Sequence, residues 1–266
     1  MANSNWAWDD ALRGVIPPTI SPLTTSRQVD AEAVDRVVDY VLAGGCSGLF
    51  VLGGVGEGAW LSTAQRAAIV EATVRATAGR APVLVGLMLP GTAPAREAAL
   101  QAVDAGADAL VVGSPYYFGV DAASQQRHVE AILSATTLPV LLYNIPQCTH
   151  APLAREAVEV LSTEPRILGV KDSWGDLPYF QALLTLRLKR PNFRVLQRSR
   201  PGSARRRCRS ALDRLSRSKS SISSSRASGS WCWLAMAITG ATARSRRIGF
   251  WAMAYRSTWC WRRGTP

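Results

Sequence analysis

Seven short apolar runs punctuate the chain, over residues 14–23, 48–53, 82–89, 109–113, 140–143, 167–171 and 193–196. Between them lie longer stretches whose apolar residues recur every three or four positions. The clearest covers residues 31–43, with Val34, Val37, Val38, Val41 and Leu42 on one face, Asp30 placed to cap it and Gly44-Gly45 to end it. Ser62 and Gln65 form a capping-box pattern that starts a helix running through Ala78. Further helices are expected over residues 93–105, 122–136, 153–162 and 177–189. The seven runs are almost continuously apolar rather than alternating, which is how strands read in a parallel sheet covered on both faces.

Strand and helix therefore alternate, and seven strands exceed the about five or six of an average sheet. A (β/α)8 TIM barrel is the expected fold, with chemistry at the carboxyl ends of the strands. A doubly wound open sheet is the alternative. Against it, the Gly-rich turn at Gly53-Gly54-Val55-Gly56-Glu57-Gly58 is not a dinucleotide fingerprint, and no phosphate-binding Gly-x-x-x-x-Gly-Lys-Ser/Thr loop occurs.

Two strand ends carry reactive side chains. Ile167-Leu168-Gly169-Val170 runs straight into Lys171, then Asp172-Ser173-Trp174. Burying an ammonium without a partner is costly, and one escape is loss of the proton, which leaves an amine able to attack a ketone and form a Schiff base. A lysine that snorkels to water just past a strand end gives the same stretch. Upstream, Pro139-Val140-Leu141-Leu142 ends in Tyr143-Asn144-Ile145-Pro146. If the two runs are parallel neighbours, Tyr143 and Lys171 share one carboxyl edge, and the phenol can carry protons for a carbinolamine on the lysine.

Composition divides the chain in two. The 266 residues are 47% hydrophobic and carry a formal charge of +12. Residues 198–266 hold 15 Arg and 1 Lys against 1 Asp and no Glu, a net of +15, which leaves −3 for residues 1–197. Beyond Gln197 the periodicity stops. Residues 198–230 are Arg/Ser-rich, and residues 231–261 set five tryptophans and two cysteines among small residues. Residues 1–197 are therefore expected to form strands one to seven of the barrel. Residues 198–266 read as an out-of-frame or disordered basic tail, with the barrel truncated or frame-shifted after the seventh strand. Five scattered cysteines lack metal or redox spacing, no apolar run is long enough to cross a membrane, and no signal-type segment opens the chain, so a soluble cytoplasmic protein is expected.

The strand-end motifs resemble one known family. Gly53-Gly54-Val55-Gly56-Glu57, Ser114-Pro115-Tyr116-Tyr117, Tyr143-Asn144-Ile145-Pro146 and Gly169-Val170-Lys171-Asp172 are similar, in order and spacing, to the signatures of the dihydrodipicolinate synthase and N-acetylneuraminate lyase family. The likeness covers residues 14–197. It implies a (β/α)8 barrel assembled as a homotetramer, and a lyase (aldolase or dehydratase) that forms a Schiff base with pyruvate or a related 2-oxo acid. It assigns Lys171 as the Schiff-base lysine, Tyr143 as proton donor and acceptor, and Tyr117 as a member of the proton relay. Gly54 and Val55 would bind the substrate carboxylate through backbone N–H groups. No cofactor and no metal are implied.

Two positions depart from that pattern. Gly54 stands where the family has a hydroxyl that links the two tyrosines. Cys148 stands where the synthase has an arginine for the second substrate's carboxylate, and a thiol forms no bidentate ion pair. A 2-oxo-acid aldolase or dehydratase, such as one acting on a sugar-derived acid, therefore fits better than the synthase. Among other residues, Glu57 reads as structural, His128 as a surface helix residue, His150 as a rim-loop residue and Trp174 as pocket wall or core. Neither histidine has partners at metal spacing. Two other functional readings stay open: a catalytically inactive truncated barrel, and nucleic-acid binding through the basic tail, for which no recognised motif is present.

Overall fold

The computed structural model describes residues 6–197. Within them lie six parallel strands: β1 (Leu49–Val51), β2 (Val83–Leu87), β3 (Ala109–Gly113), β4 (Val140–Asn144), β5 (Ile167–Asp172) and β6 (Arg194–Gln197). The long helices are α2 (Ala31–Ala43), α3 (Thr63–Thr77), α4 (Thr92–Asp104), α5 (Ala122–Ala135) and α8 (Leu177–Lys189), with a shorter α7 (Arg155–Leu161). Two single turns, α1 (Trp8–Ala11) and α6 (Pro146–Thr149), complete the set.

Strand order follows chain order from β1 to β6 without reversal. A doubly wound sheet reverses at a switch point, whereas steady advance in one direction builds a barrel wall. The barrel expectation therefore holds for the described part. The tail, the eighth strand and the reading of residues 198–266 lie outside the described residues.

One expected strand is not formed. Residues 14–23 run beside β1 and make a single parallel bridge, Pro18 to Phe50. The contacts are Ser47 N–H to Val15 O (2.9 Å), Phe50 N–H to Pro17 O (3.1 Å) and Thr19 N–H to Phe50 O (2.9 Å). Pro17, Pro18 and Pro22 have no N–H to continue a ladder, so the segment stays a bridged edge.

The helices start where the sequence signals them. Asp30, Asp121 and Asp176 accept backbone N–H groups at their helix N-termini, and Ser62 with Gln65 forms a complete capping box. Each such cap is worth about 1 kcal/mol.

Successive strand residues alternate between two cores. Leu49, Val51, Val85, Leu110, Val112, Leu142 and Val170 pack outward against helix residues such as Val38, Ile69, Ala99, Ile132, Val158 and Leu183. Phe50, Leu84, Ala109, Val111, Leu141, Tyr143 and Leu168 face the barrel interior, joined by Leu12 and Trp8. Full burial of one such aliphatic side chain contributes about 1.5–3 kcal/mol. The N-terminal segment is tied to the amino ends of the strands: Arg194 reaches Asp9 (2.9 Å), Trp6 Nε1 donates to Asp108 Oδ1 (2.8 Å), and Asp108 Oδ2 accepts Val83 N–H (2.8 Å). The opposite, carboxyl ends carry the reactive side chains.

A bulge sets which way one of them points. β4 and β5 pair Val140 with Ile167 and then Leu141 with Gly169, so Leu168 is an extra residue. A one-residue slip turns every following side chain to the other face. Without the bulge Lys171 would face the helices; with it Lys171 faces the barrel interior. A Cβ at Gly169 would overlap the Arg194 carbonyl of β6, so the bulge needs glycine there.

Candidate active site

Tyr143 and Lys171 are register partners at the carboxyl ends of β4 and β5. Tyr143 is buried and Lys171 half-buried. Lys171 Nζ sits 4.1 Å from the Tyr143 ring centroid and 4.2 Å from that of Phe50. The two rings meet edge to face, with centroids 5.9 Å apart and planes at 81°. Aromatic faces attract a cation. Two ring faces against one nitrogen are suited to hold a positive charge there. Phe50 was not singled out from the sequence, because a continuously apolar strand gives no sign of which residues face inward.

The Gly-rich loop follows β1 on the same edge. Leu52, buried, takes a left-handed conformation (φ 57°), a strained choice for a leucine and one that clusters at functional sites. Gly58 and Gly86 leave room for its carbonyl, and Gly56 lies against its N–H and the Thr19 carbonyl. Gly54, by contrast, has open space where a Cβ would go. Gly54 is exposed and Val55 half-buried, and among the described residues no backbone carbonyl accepts either N–H. Two adjacent unengaged N–H groups are what a carboxylate needs. Glu57 is exposed and takes a left-handed conformation (φ 53°).

Tyr117 is not gathered with Lys171 and Tyr143 inside this chain. It follows β3 in a left-handed conformation (φ 87°), is 83% exposed, and stacks edge-on against the exposed Phe118 with centroids 4.9 Å apart. Its neighbour Tyr116 turns inward, donating to Met88 O at 3.3 Å; burial raises the pKa of its phenol, and Arg66 opposes the rise.

Behind the strand ends lies a layer of buried hydrogen bonds. Asn144 Nδ2 donates to Asp172 Oδ1 (2.7 Å), and Asn144 Oδ1 accepts Leu153 N–H (2.9 Å). Gln125, 2% exposed, donates to Ser114 Oγ and Pro152 O and accepts from Ala154 N–H. At the exposed rim of this layer Gln147 donates to the carbonyls of Ser173 and Trp174. Trp174 is half-buried and packs edge-on against Tyr179 (5.2 Å). Burial, followed by the nearby Asp172 and Glu156 charges, pushes the Tyr179 phenol well above its usual range.

His128 corrects the sequence reading. It is 2% exposed, with Nδ1 2.9 Å from Thr92 Oγ1, and burial pushes its pKa down to about 4. Its position in the helical stripe Gln125, His128, Val129, Ile132, Leu133 held the signal. His150 caps α6 on the rim and is exposed, as is Cys148. Among the described residues no three His, Cys, Asp or Glu side chains gather as a metal site, and no helix is long and apolar enough to cross a membrane.

The profile of the Dihydrodipicolinate synthetase family matches residues 11–197. A 4-hydroxy-tetrahydrodipicolinate synthase of Salinibacter ruber is 38% identical over 182 residues, 68% of this chain and 60% of its own length. A probable 2-dehydro-3-deoxy-D-pentonate aldolase of Escherichia coli, YjhH, is 36% identical over 184 residues, 68% of this chain and 61% of its own length. Among solved structures, E. coli YagE, a member of the dihydrodipicolinic acid synthase family crystallised with pyruvate, superposes with a TM-score of 0.67 at 33% identity, covering 69% of this chain and 62% of YagE. The chain thus spans about three fifths of the length of these relatives.

Proposed function

The chain belongs to the dihydrodipicolinate synthetase family, and from that premise we propose that it is a lyase whose Lys171 forms a Schiff base with pyruvate or a related 2-oxo acid. The observation that carries the reading is Lys171 Nζ against the Tyr143 ring at the carboxyl ends of β4 and β5. The Lys171 amine adds to the substrate's C2 carbonyl and gives a carbinolamine. Tyr143 delivers a proton to the departing hydroxyl, water leaves, and the iminium remains between the Phe50 and Tyr143 rings. Loss of a C3 proton then gives an enamine, the nucleophile of an aldol step; run backward, the same steps cleave a carbon–carbon bond. The Gly54 and Val55 N–H groups hold the substrate carboxylate. No cofactor or metal is needed, because the iminium formed on the lysine takes up the electron pair released at C3.

Tyr117 completes the proton relay in this reading. In the homotetramer of this reading a second copy of the chain covers the rim on which the exposed Tyr117 stands. Gly54 supplies no hydroxyl between the tyrosines, so a water spans that gap. Cys148 offers no charge to a second carboxylate. The second substrate is accordingly an aldehyde without one, and a 2-dehydro-3-deoxy sugar acid is the preferred substrate class, the class named for YjhH. Five scattered cysteines, an odd number, suit the cytoplasm in this reading. Incubation with pyruvate and borohydride, followed by peptide mapping, tests the proposal: a reduced adduct on the Lys171 peptide supports it, and its absence on folded protein removes it.

A further inference from the structure

We infer that Asn144 and Asp172 are a positioning pair, whose buried side-chain hydrogen bond locks the carboxyl ends of β4 and β5 in register and so holds Lys171 against Tyr143. The inference rests on the Schiff-base reading above. Each residue lies one position beyond its reactive neighbour, and the two are themselves register partners. The strand pleat turns their side chains to the helix side of the wall. Asn144 is 1% exposed and Asp172 0%.

The pair gathers four segments. Asn144 Nδ2 donates to Asp172 Oδ1 at 2.7 Å, and Leu153 N–H donates to Asn144 Oδ1 at 2.9 Å, which fixes the orientation of the amide. Trp174 N–H approaches Asp172 Oδ1 at 3.4 Å, and Ser173 N–H donates to Asn144 O at 2.9 Å. Leu153 O in turn accepts the Tyr179 hydroxyl of α8 at 2.7 Å.

Folding alone does not account for this arrangement. Asp172 Oδ2 is buried and has no hydrogen-bond partner among the described residues. A buried carboxylate with an unmet oxygen costs stability, and an apolar pair would fill the space between sheet and helices at lower cost. The place of the pair explains its presence. Directly after it the two segments part, one into α6 and the other toward α8, so this is the last side-chain hydrogen bond made between residues of the two strands. Beyond it, among the described residues, only Ser173 N–H on Asn144 O and the Gln147 amide on the Ser173 and Trp174 carbonyls join them. β5 already carries the Leu168 bulge, so the register that sets Lys171 opposite Tyr143 is held over the short ladder from Gly169 to Asp172, which the pair closes.

The test uses the full 266-residue chain, with pyruvate and cyanoborohydride trapping the imine while mass spectrometry follows the Lys171 peptide. Varying pyruvate yields a maximal trapping rate per reacting molecule and a half-saturating concentration. Asn144→Asp sets carboxylate against carboxylate. The exchange Asn144→Asp with Asp172→Asn restores one amide and one carboxylate and, like the single variant, keeps an acceptor for Leu153 N–H. The single variant is expected to lower the maximal rate about tenfold or more, with the half-saturating concentration moving less than about threefold and the exchange recovering to within about threefold. A role in folding alone would lower adduct yield and leave the rate per reacting molecule unchanged. Asp172→Asn keeps the acceptor for the Asn144 amide and is expected to stay within about threefold of wild type.

A wild-type rate in Asn144→Asp, an exchange no faster than that single variant, or a tenfold loss in Asp172→Asn would each overturn the pair. If Asn144→Asp yields no reacting protein, the exchange decides: recovery supports the pair and failure overturns it. A wild-type chain that forms no adduct removes the Schiff-base reading and the pair together, whereas a reactive wild type with unaffected variants removes the pair alone.

Discussion

Lys171 and Tyr143 sit directly opposite one another on β5 and β4, and the lysine nitrogen lies 4.1 Å from the centre of the tyrosine ring. The relationship is produced by a bulge rather than by simple alternation, since Leu168 is the extra residue that turns Lys171 inward. An amine over an aromatic face beside a phenol is suited to a reaction whose intermediate is a cation and whose steps need a proton carrier.

Tyr143→Phe keeps the ring face against Lys171 and removes only the hydroxyl. Imine formation is expected to persist but to slow by about 10²–10⁴-fold, the range of general acid–base catalysis. Stopped trapping of the pyruvate adduct against time measures this, and an unchanged rate would take the proton-transfer role from Tyr143.

Gly169→Ala tests the bulge. The added methyl would run into the Arg194 backbone, and overpacking of this kind costs about 1–3 kcal/mol. The urea midpoint should drop accordingly, and the trapping rate should fall with it as Lys171 is turned from the Tyr143 ring. A variant with the wild-type midpoint would mean that β5 and β6 have slack at this point.

His128 gives the fold a pH dependence. Its folded pKa, about 4, lies below the ordinary 6.5, so between those values the unfolded chain binds a proton that the folded one does not. Its contribution is complete above about pH 6.5 and is lost as pH falls toward 4, by about 3 kcal/mol in all. In His128→Gln the loss of stability between pH 7 and pH 4.5, measured by urea unfolding, should be smaller than in wild type. Equal losses in the two proteins would show that His128 does not carry this part of the acid sensitivity.

The sequence makes strands and reactive ends legible for different reasons. Parallel strands covered on both faces read as bare apolar runs, so β1 to β6 stand out, and Lys171 and Tyr143 stand out as the polar residues that end two of them. The same feature hides the inner face. Leu49-Phe50-Val51 looks alike at each position, and nothing marks Phe50 as the residue that lies against Lys171. Residues 14–23 look like a strand because their side chains are apolar, yet strand formation depends on N–H groups that three prolines lack. His128 is polar, which suggests the surface, but it shares the helical phase of the buried Val129 and Ile132 and lies with them. The Leu168 bulge and the Asn144–Asp172 pair arise from contacts between strands, which no single stretch encodes.

Trapping with borohydride in the presence of pyruvate probes the Lys171 amine itself. The chain has only three lysines, Lys171, Lys189 and Lys219, so peptide mapping identifies the reacting one without ambiguity. The account predicts one reduced pyruvate adduct per chain, on the Lys171 peptide, and none in Lys171→Ala. A folded chain that gives no adduct, or one modified at Lys189 or Lys219 instead, would contradict it.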